Sequence, residues 1–220
     1  MRIAVLALLI FGSADSTFAA NKVELNKRIQ SLTAQLTNMQ TNPASRIPAQ
    51  KLAAASGIVL LDRSRGALGF GYHEANGVAL VRDASGRWSP AGFVSAQGAS
   101  LGPQIGGTRD FFVILLMSPE AVQALKQPVI DFGGQVSMTG GTAHAGAQAL
   151  TGPGPVDVYS EHSGVYAGAS ITGASFHSDD GANAIYYGKP ATADGVMFGH
   201  AVQPTPTVNA LIAAINQPSR

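Results

Sequence analysis

The sequence has 220 residues, which is enough for one domain with short appended segments. Hydrophobic residues make up 45 % and charged residues 12 %, and this composition excludes an intrinsically disordered chain. A net charge of +1 gives no support for nucleic-acid binding, and the absence of cysteine excludes disulfides, thiol catalysis and cysteine-based zinc or iron–sulfur sites.

Residues 1–20 have the pattern of a secretory signal peptide. Arg2 precedes an apolar run over residues 3–11, and small residues follow it up to Ala19 and Ala20, where we expect cleavage. The apolar run is too short to fill a bilayer core, which disfavours the alternative of an uncleaved anchor. We therefore expect an exported bacterial protein, periplasmic or secreted, with peripheral membrane association compatible with either location.

Residues 21–45 read as an amphipathic helix followed by a linker. Five apolar residues recur at alternating spacings of four and three, and this pattern predicts one apolar stripe on a helix over residues 23–40: Leu25, Ile29, Leu32, Leu36 and Met39. The stripe has three interpretations, namely packing on its own domain, self-association with other copies, or a membrane-surface helix. We favour the first, and Pro43 then marks the linker.

Residues 46–220 contain several short predicted strands, with glycine at the bends, and a few short helices. The wholly apolar run 111–117 predicts a strand that is buried on both faces, and Ser118 is a suitable cap for the helix that follows. The other predicted strands are 58–61, 78–82, 87–89, 129–132, 135–138, 156–159 and 165–172; turns are predicted at 83–86 and 160–163, and helices at 48–56, 118–126, 182–187 and 205–216. Glycines inside strands favour curved or closed sheets, so we predict an α+β fold with an antiparallel, strongly curved or barrel-like sheet.

The order of these pieces resembles the SYLF-domain family over residues 47–188, which include most of the mature chain. The matching motifs, in chain order, are Ile47-Pro48, residues 66–71, Gly77-Val78, residues 86–91, Gln104-Ile105-Gly106, residues 110–115, Tyr159-Ser160, residues 164–168, Asp180 with Asn183, and Tyr187-Gly188. The resemblance implies a non-catalytic module that binds membrane lipid, with phosphoinositide headgroups as ligands of eukaryotic members. Actin association belongs to the eukaryotic members, and Glu161-His162 stand where the family pattern has a basic residue.

An anionic headgroup requires positive charge near the surface. Residues 46–109 carry seven basic and three acidic side chains, whereas residues 110–220 carry three basic and eight acidic ones. The candidate lipid-binding residues are therefore Arg63, Arg65, Arg82, Arg87 and Trp88. Arg82 and Arg87 flank one predicted hairpin, and the ring of Trp88 suits a lipid interface. The alternative is that these arginines are ordinary solvated strand ends and that Trp88 belongs to the core.

A catalytic alternative rests on Ser100, which stands in a G-x-S-x-G pattern over residues 98–102. Pro103 and the following glycines oppose the helix that a nucleophile elbow requires, and the histidines show no metal-ligand spacing, so we assign no catalytic residue, metal or cofactor. The sequence thus predicts an exported lipid-binding module that recognises anionic lipid or phosphorylated headgroups. The alternatives are a self-associating periplasmic protein that uses the helix over residues 23–40 and, more remotely, a serine hydrolase.

Overall fold

Strands and helices come in blocks along the chain, with helices at both ends and a short helix between two groups of strands. The computed structural model describes residues 21–43, 46–63, 74–97, 110–127, 136–137, 156–162, 170–171 and 175–217. Within these ranges the helices are α1 (Lys22–Thr41), α2 (Ala49–Ala54), α3 (Pro119–Gln123) with a 3₁₀ turn (Ala124–Lys126), α4 (Asp180–Tyr187), α5 (Ala193–Met197) and α6 (Pro206–Asn216). The strands are β1 (Gly57–Arg63), β2 (Glu74–Val81), β3 (Gly92–Gln97), β4 (Asp110–Leu116), β5 (Val136–Ser137), β6 (Val156–His162), β7 (Ser170–Ile171) and β8 (Ser175–Ser178).

The main sheet has six strands in the order β6-β4-β1-β2-β3-β8, and every neighbouring pair is antiparallel. This confirms the α+β class and the antiparallel pairing. The expected barrel-like closure is wrong, because β6 and β8 are opposite edges of an open sheet. The glycines that suggested closure make room for neighbours instead: Gly92 lies against Met197, and Gly57 lies against Val122.

Both faces of the sheet are buried under helices. One face, here the α1 face, carries Ile58, Leu60 and Val113 and is covered by α1, α4 and α6. The other, here the α3 face, carries Val59 and Ile114 and is covered by α3 and α5. The prediction for residues 111–117 is therefore confirmed, because successive residues of β4 belong to opposite cores.

Helix α1 packs on its own domain, which is the interpretation favoured from its sequence. All five residues of its apolar stripe are 0 % exposed, and they share a core with Val208, Leu211 and Ile215 of α6. The apolar stripe that self-association through α1 would require is therefore already buried inside the domain. None of the helices in the described ranges is both long enough and apolar enough to cross a membrane.

Helix α4 fastens this core through Tyr186, which is fully buried. Its hydroxyl donates to Asn26 Oδ1 over 3.1 Å, and it lies 2.6 Å from Thr205 Oγ1. Its ring meets Phe93 edge-on, with 5.1 Å between centroids. One side chain therefore joins α1, α4, β3 and the cap of α6.

The predicted α4 is confirmed, and the polar residues of its motif connect it to its neighbours. Asn183 is fully buried, and its Oδ1 accepts a hydrogen bond from the backbone N–H of Phe93 over 2.9 Å. Asp180 Oδ1 accepts from the N–H of Ala193, the first residue of α5, over 2.7 Å. These residues of the SYLF pattern therefore hold the fold together.

Several predicted elements differ from the structure. The turn placed at 160–163 is wrong, since residues 160–162 continue β6 and pair with the start of β4. The turn at 83–86 is confirmed, but β3 begins only at Gly92, because Pro90 has no N–H for a ladder. Helix α5 and strand β8 were not predicted, while the strand at 129–132 lies outside the described residues.

Gly77→Ala tests the close approach of the central strands. A Cβ at Gly77 would lie 1.8 Å from the backbone oxygen of Leu60, so β1 and β2 would have to separate. We expect a loss of about 3 kcal/mol or more in the free energy of unfolding, measured by urea titration. In the control Gly181→Ala, the nearest atom would lie 3.5 Å away, and we expect no loss. Equal stability of the two variants would contradict this packing.

Candidate functional site

A cleft of about 840 Å³ opens at the end of the sheet where β2 turns towards β3. Three segments wall it, namely the hairpin over residues 82–90, helix α3, and the segment 197–204 that leads from α5 to α6. Three of the five predicted site residues meet here: Arg82, Arg87 and Trp88. The fold thus brings these three residues to one cleft, and their role in binding stays a prediction.

The carboxylate of Asp83 organises the tip of the hairpin. Its Oδ1 accepts hydrogen bonds from Ser85 Oγ over 2.6 Å, from Ser85 N over 2.8 Å and from Arg87 N over 3.0 Å. These donors, Ser85 Oγ foremost, hold the pKa of Asp83 far below its usual range. A depressed pKa means that this support is present at neutral pH and is lost only when acid protonates the carboxyl group. Gly86 closes the turn with φ of 81°, a left-handed conformation that suits glycine.

Arg87 is the exposed cation of the cleft, with 79 % of its side chain accessible. Its Nε donates to Asp83 Oδ2 over 3.2 Å, which sets the direction of the guanidinium. Within the described part of the chain, its two terminal nitrogens have no hydrogen-bond partner. Arg87 is thus oriented by the protein and still has donors for a ligand.

Arg82, in contrast, uses its guanidinium for contacts within the fold. Its Nη1 donates to the carbonyl oxygen of Ala53 over 2.6 Å, and its Nη2 makes a 3.5 Å contact with that of Leu52, both at the end of α2. Its guanidinium lies 4.4 Å from the centroid of the Trp88 ring, a cation–π geometry. Burial lowers the pKa of Arg82. The side chain therefore clamps α2 to the hairpin.

Trp88 also faces inwards, with 8 % of its surface exposed. Its indole Nε1 donates to Asn216 Oδ1 at the end of α6 over 3.1 Å. The alternative drawn from the sequence, in which Trp88 is a core residue, therefore describes it. Its edge still lines the cleft, which makes it a reporter of what happens there.

The remaining candidates lie elsewhere. Arg63 ends β1 beside Ala75, whereas the opposite end of β1, Gly57, pairs with Val81. The length of the strand places the backbone of Arg63 roughly 20 Å from the hairpin. Arg65 and Ser100 lie outside the described residues. The lipid-binding role of all five candidates stays a prediction, and among the described ones the backbone of Arg63 is far from the hairpin.

The wall formed by residues 197–204 was missed from the sequence. His200 has φ of 50°, in the left-handed region that non-glycine residues rarely adopt. Phe198 sits under the Lys126 ammonium, which is 4.5 Å from the ring centroid and 3.9 Å from Asp194. The tertiary fold brings residues 197–204 beside the hairpin, so their sequence does not predict this contact. The pair Gly199-His200 was the one sign of a turn there. No cluster of three acidic or histidine side chains that could hold a metal occurs in the described ranges.

Comparison with known proteins gives a consistent set of relatives. Residues 97–218 match the Ysc84 family, described as Las17-binding protein actin regulator. LAS seventeen-binding protein 3 of Saccharomyces cerevisiae is 29 % identical over 175 residues, which are 77 % of this chain and 38 % of that protein. SH3 domain-containing protein PJ696.02 of Schizosaccharomyces pombe is 32 % identical over 190 residues, which are 83 % of this chain and 44 % of that protein.

A human protein, SH3 domain-containing YSC84-like protein 1, is 25 % identical over 169 residues, which are 75 % of this chain and 49 % of that protein. The chain therefore spans between about two fifths and one half of the length of these relatives. No solved structure matches it.

The free energy of unfolding of two variants tests whether Arg82 contributes more to the fold than Arg87 does. Arg82→Ala removes hydrogen bonds to two carbonyl groups and the contact with Trp88, and we expect a loss of about 2 kcal/mol. Arg87→Ala removes one exposed ion pair, and we expect a change of at most about 0.5 kcal/mol. Urea unfolding of both variants measures the difference. A larger loss for Arg87→Ala would reverse the assignment.

Proposed function

The chain belongs to the Ysc84 family, the family of the SYLF domain, and from that premise we propose that it is a non-catalytic, exported module that binds anionic membrane lipid or phosphorylated headgroups. The observation that carries the proposal is the state of Arg87. It is an exposed guanidinium, aimed by Asp83, whose terminal nitrogens have no partner in the described part of the chain. Guanidinium groups in this state bind phosphate and carboxylate oxygens well.

The charges around the hairpin support an anionic ligand. The hairpin carries two arginines, Arg82 and Arg87, and one carboxylate, Asp83, which pairs with Arg87, so it keeps a net positive charge. A cation close to an anionic membrane contributes roughly 1 kcal/mol of attraction. Association through so few cations is weak and sensitive to salt. Arg63 belongs to the far end of β1, away from this hairpin.

Vesicle co-sedimentation tests the proposal. We expect the protein to sediment with vesicles that contain phosphatidylglycerol, not with pure phosphatidylcholine vesicles, and to dissociate at high salt because salt screens exposed charges. Arg87→Ala should weaken binding by about fivefold, the equivalent of one lost cation. Lys27→Ala is the matched control, because Lys27 is an exposed cation paired with a carboxylate, Glu24. Both residues lie on α1, which covers the α1 face of the sheet and does not line the cleft.

Two results would contradict this version of the proposal. Binding that is equal on neutral vesicles, or unchanged by salt, would exclude an electrostatic association. A loss seen only in the double variant Arg63→Ala with Arg65→Ala would assign binding to these two arginines and not to the hairpin.

The second candidate is a protein partner. The names of the relatives favour it, since the family is described as Las17-binding and actin-regulating, and LAS seventeen-binding protein 3 carries that partner in its name. The lipid module and the protein partner require different compartments, because a chain exported through residues 1–20 would not meet the cytoskeleton.

We expect the protein recovered from its own cells to lack residues 1–20, by intact mass, and not to co-sediment with actin filaments. Removal of the signal should leave α1 intact, since its cap is Asn21, whose side chain accepts from the N–H of Glu24. An uncleaved chain that sediments saturably with filaments would overturn the exported lipid module in favour of a protein partner.

A further inference from the structure

We propose that the hairpin cleft binds a single anionic amphiphile, with the charged head at Arg87 and the apolar body on the floor of the cleft. This inference rests on the proposed function and makes it more specific, because it assigns recognition to the apolar body as well as to the head. The ligand class is a monomeric fatty acid or a lipid with one acyl chain.

The size and shape of the cleft suit a small ligand. Its volume of about 840 Å³ falls within the range of small-molecule sites in proteins, about 300–1,000 Å³. Three apolar side chains from two walls form its floor, namely Val122, Met197 and Val202, and each is at most 6 % exposed. An apolar body placed over them would cover the part of their surface that still meets water.

Four exposed polar residues lie at the rim of the cleft. Arg87, Gln123, His200 and Gln203 line the cleft and are all exposed. An apolar floor below a polar rim matches a molecule with an apolar body and a polar head. An inorganic anion would leave the floor unused, and a neutral hydrocarbon would leave the rim unused.

The head must be anionic because of how Arg87 is held. A guanidinium can bind one oxygen acceptor through Nε and a second group through its two terminal nitrogens. Asp83 occupies Nε, which leaves the terminal pair for a carboxylate or phosphate. Arg82, which also lines the cleft, adds a second positive charge beside Arg87.

Trp88 makes the test direct, because it is the single tryptophan of the chain and lines the cleft. We expect octanoate, decanoate and dodecanoate, each kept below its micellar concentration, to change its emission saturably at one site. Each added methylene should tighten binding by about fourfold while it is still buried. Decanol should bind at least tenfold more weakly than decanoate, and inorganic phosphate should cause no change.

Two variants separate head from body. Arg87→Ala should weaken decanoate binding at least tenfold and leave decanol unaffected, since a hydrogen-bonded charge is lost. Val202→Phe fills the floor and should weaken both ligands. Lys27→Ala should change neither. Because Arg87 is exposed, its variant keeps the test valid even if Val202→Phe fails to fold.

The outcomes distinguish this inference from the proposed function. Vesicle binding without decanoate binding would overturn the cleft assignment and keep the membrane module. Decanoate binding without vesicle binding would keep the cleft and overturn membrane association. Binding that does not depend on chain length, or equal binding of phosphate, would reduce the site to an anion site and overturn the amphiphile.

Discussion

The central strands carry apolar side chains on both faces of the sheet, and this constraint decides where everything else can lie. Leu60 and Leu61 are consecutive in β1, yet they belong to separate cores. Each buried side chain of this kind contributes about 1.5–3 kcal/mol, so neither face can be left in water. Helices must therefore cover both faces. The ends of the strands are left as the places where polar groups can meet a ligand, and the hairpin cleft occupies one of those ends.

The same constraint explains why a family motif can be recognised without revealing a binding site. Tyr187 belongs to the SYLF pattern, and its hydroxyl donates to the carbonyl oxygen of Ala91 over 2.7 Å. Burial, foremost, raises the pKa of Tyr187 well above its ordinary value, as expected for a neutral structural group. Asn183 likewise serves the backbone of β3. These positions report the fold that the family shares, and ligand recognition has to be argued from other residues.

The parts of the fold that the sequence predicts are those whose signal is local. The apolar run of β4, the cap at Ser118 and the stripe of α1 each lie within one segment, and each is found. The signals that failed depend on distant partners. Residues 160–162 look like a turn but extend β6, because they pair with residues 110–112 of β4, about fifty residues earlier in the chain. In the site, Arg82 and Arg87 look equivalent in sequence. Their roles differ because Arg82 bonds to carbonyl groups of α2, which lies about thirty residues earlier in the chain.

The different partners of Arg82 and Arg87 determine how each arginine contributes to the positive charge of the cleft. Arg82 is neutralised by no carboxylate in the described part of the chain, since its partners are two carbonyl oxygens and the ring of Trp88. A guanidinium keeps its charge at any ordinary pH, so burial that lowers its pKa does not discharge it. Salt screens the exposed Arg87 more effectively than the partly buried Arg82. The anion preference that we propose for the cleft would therefore have two sources: a salt-sensitive contact at Arg87, and a less salt-sensitive field from Arg82.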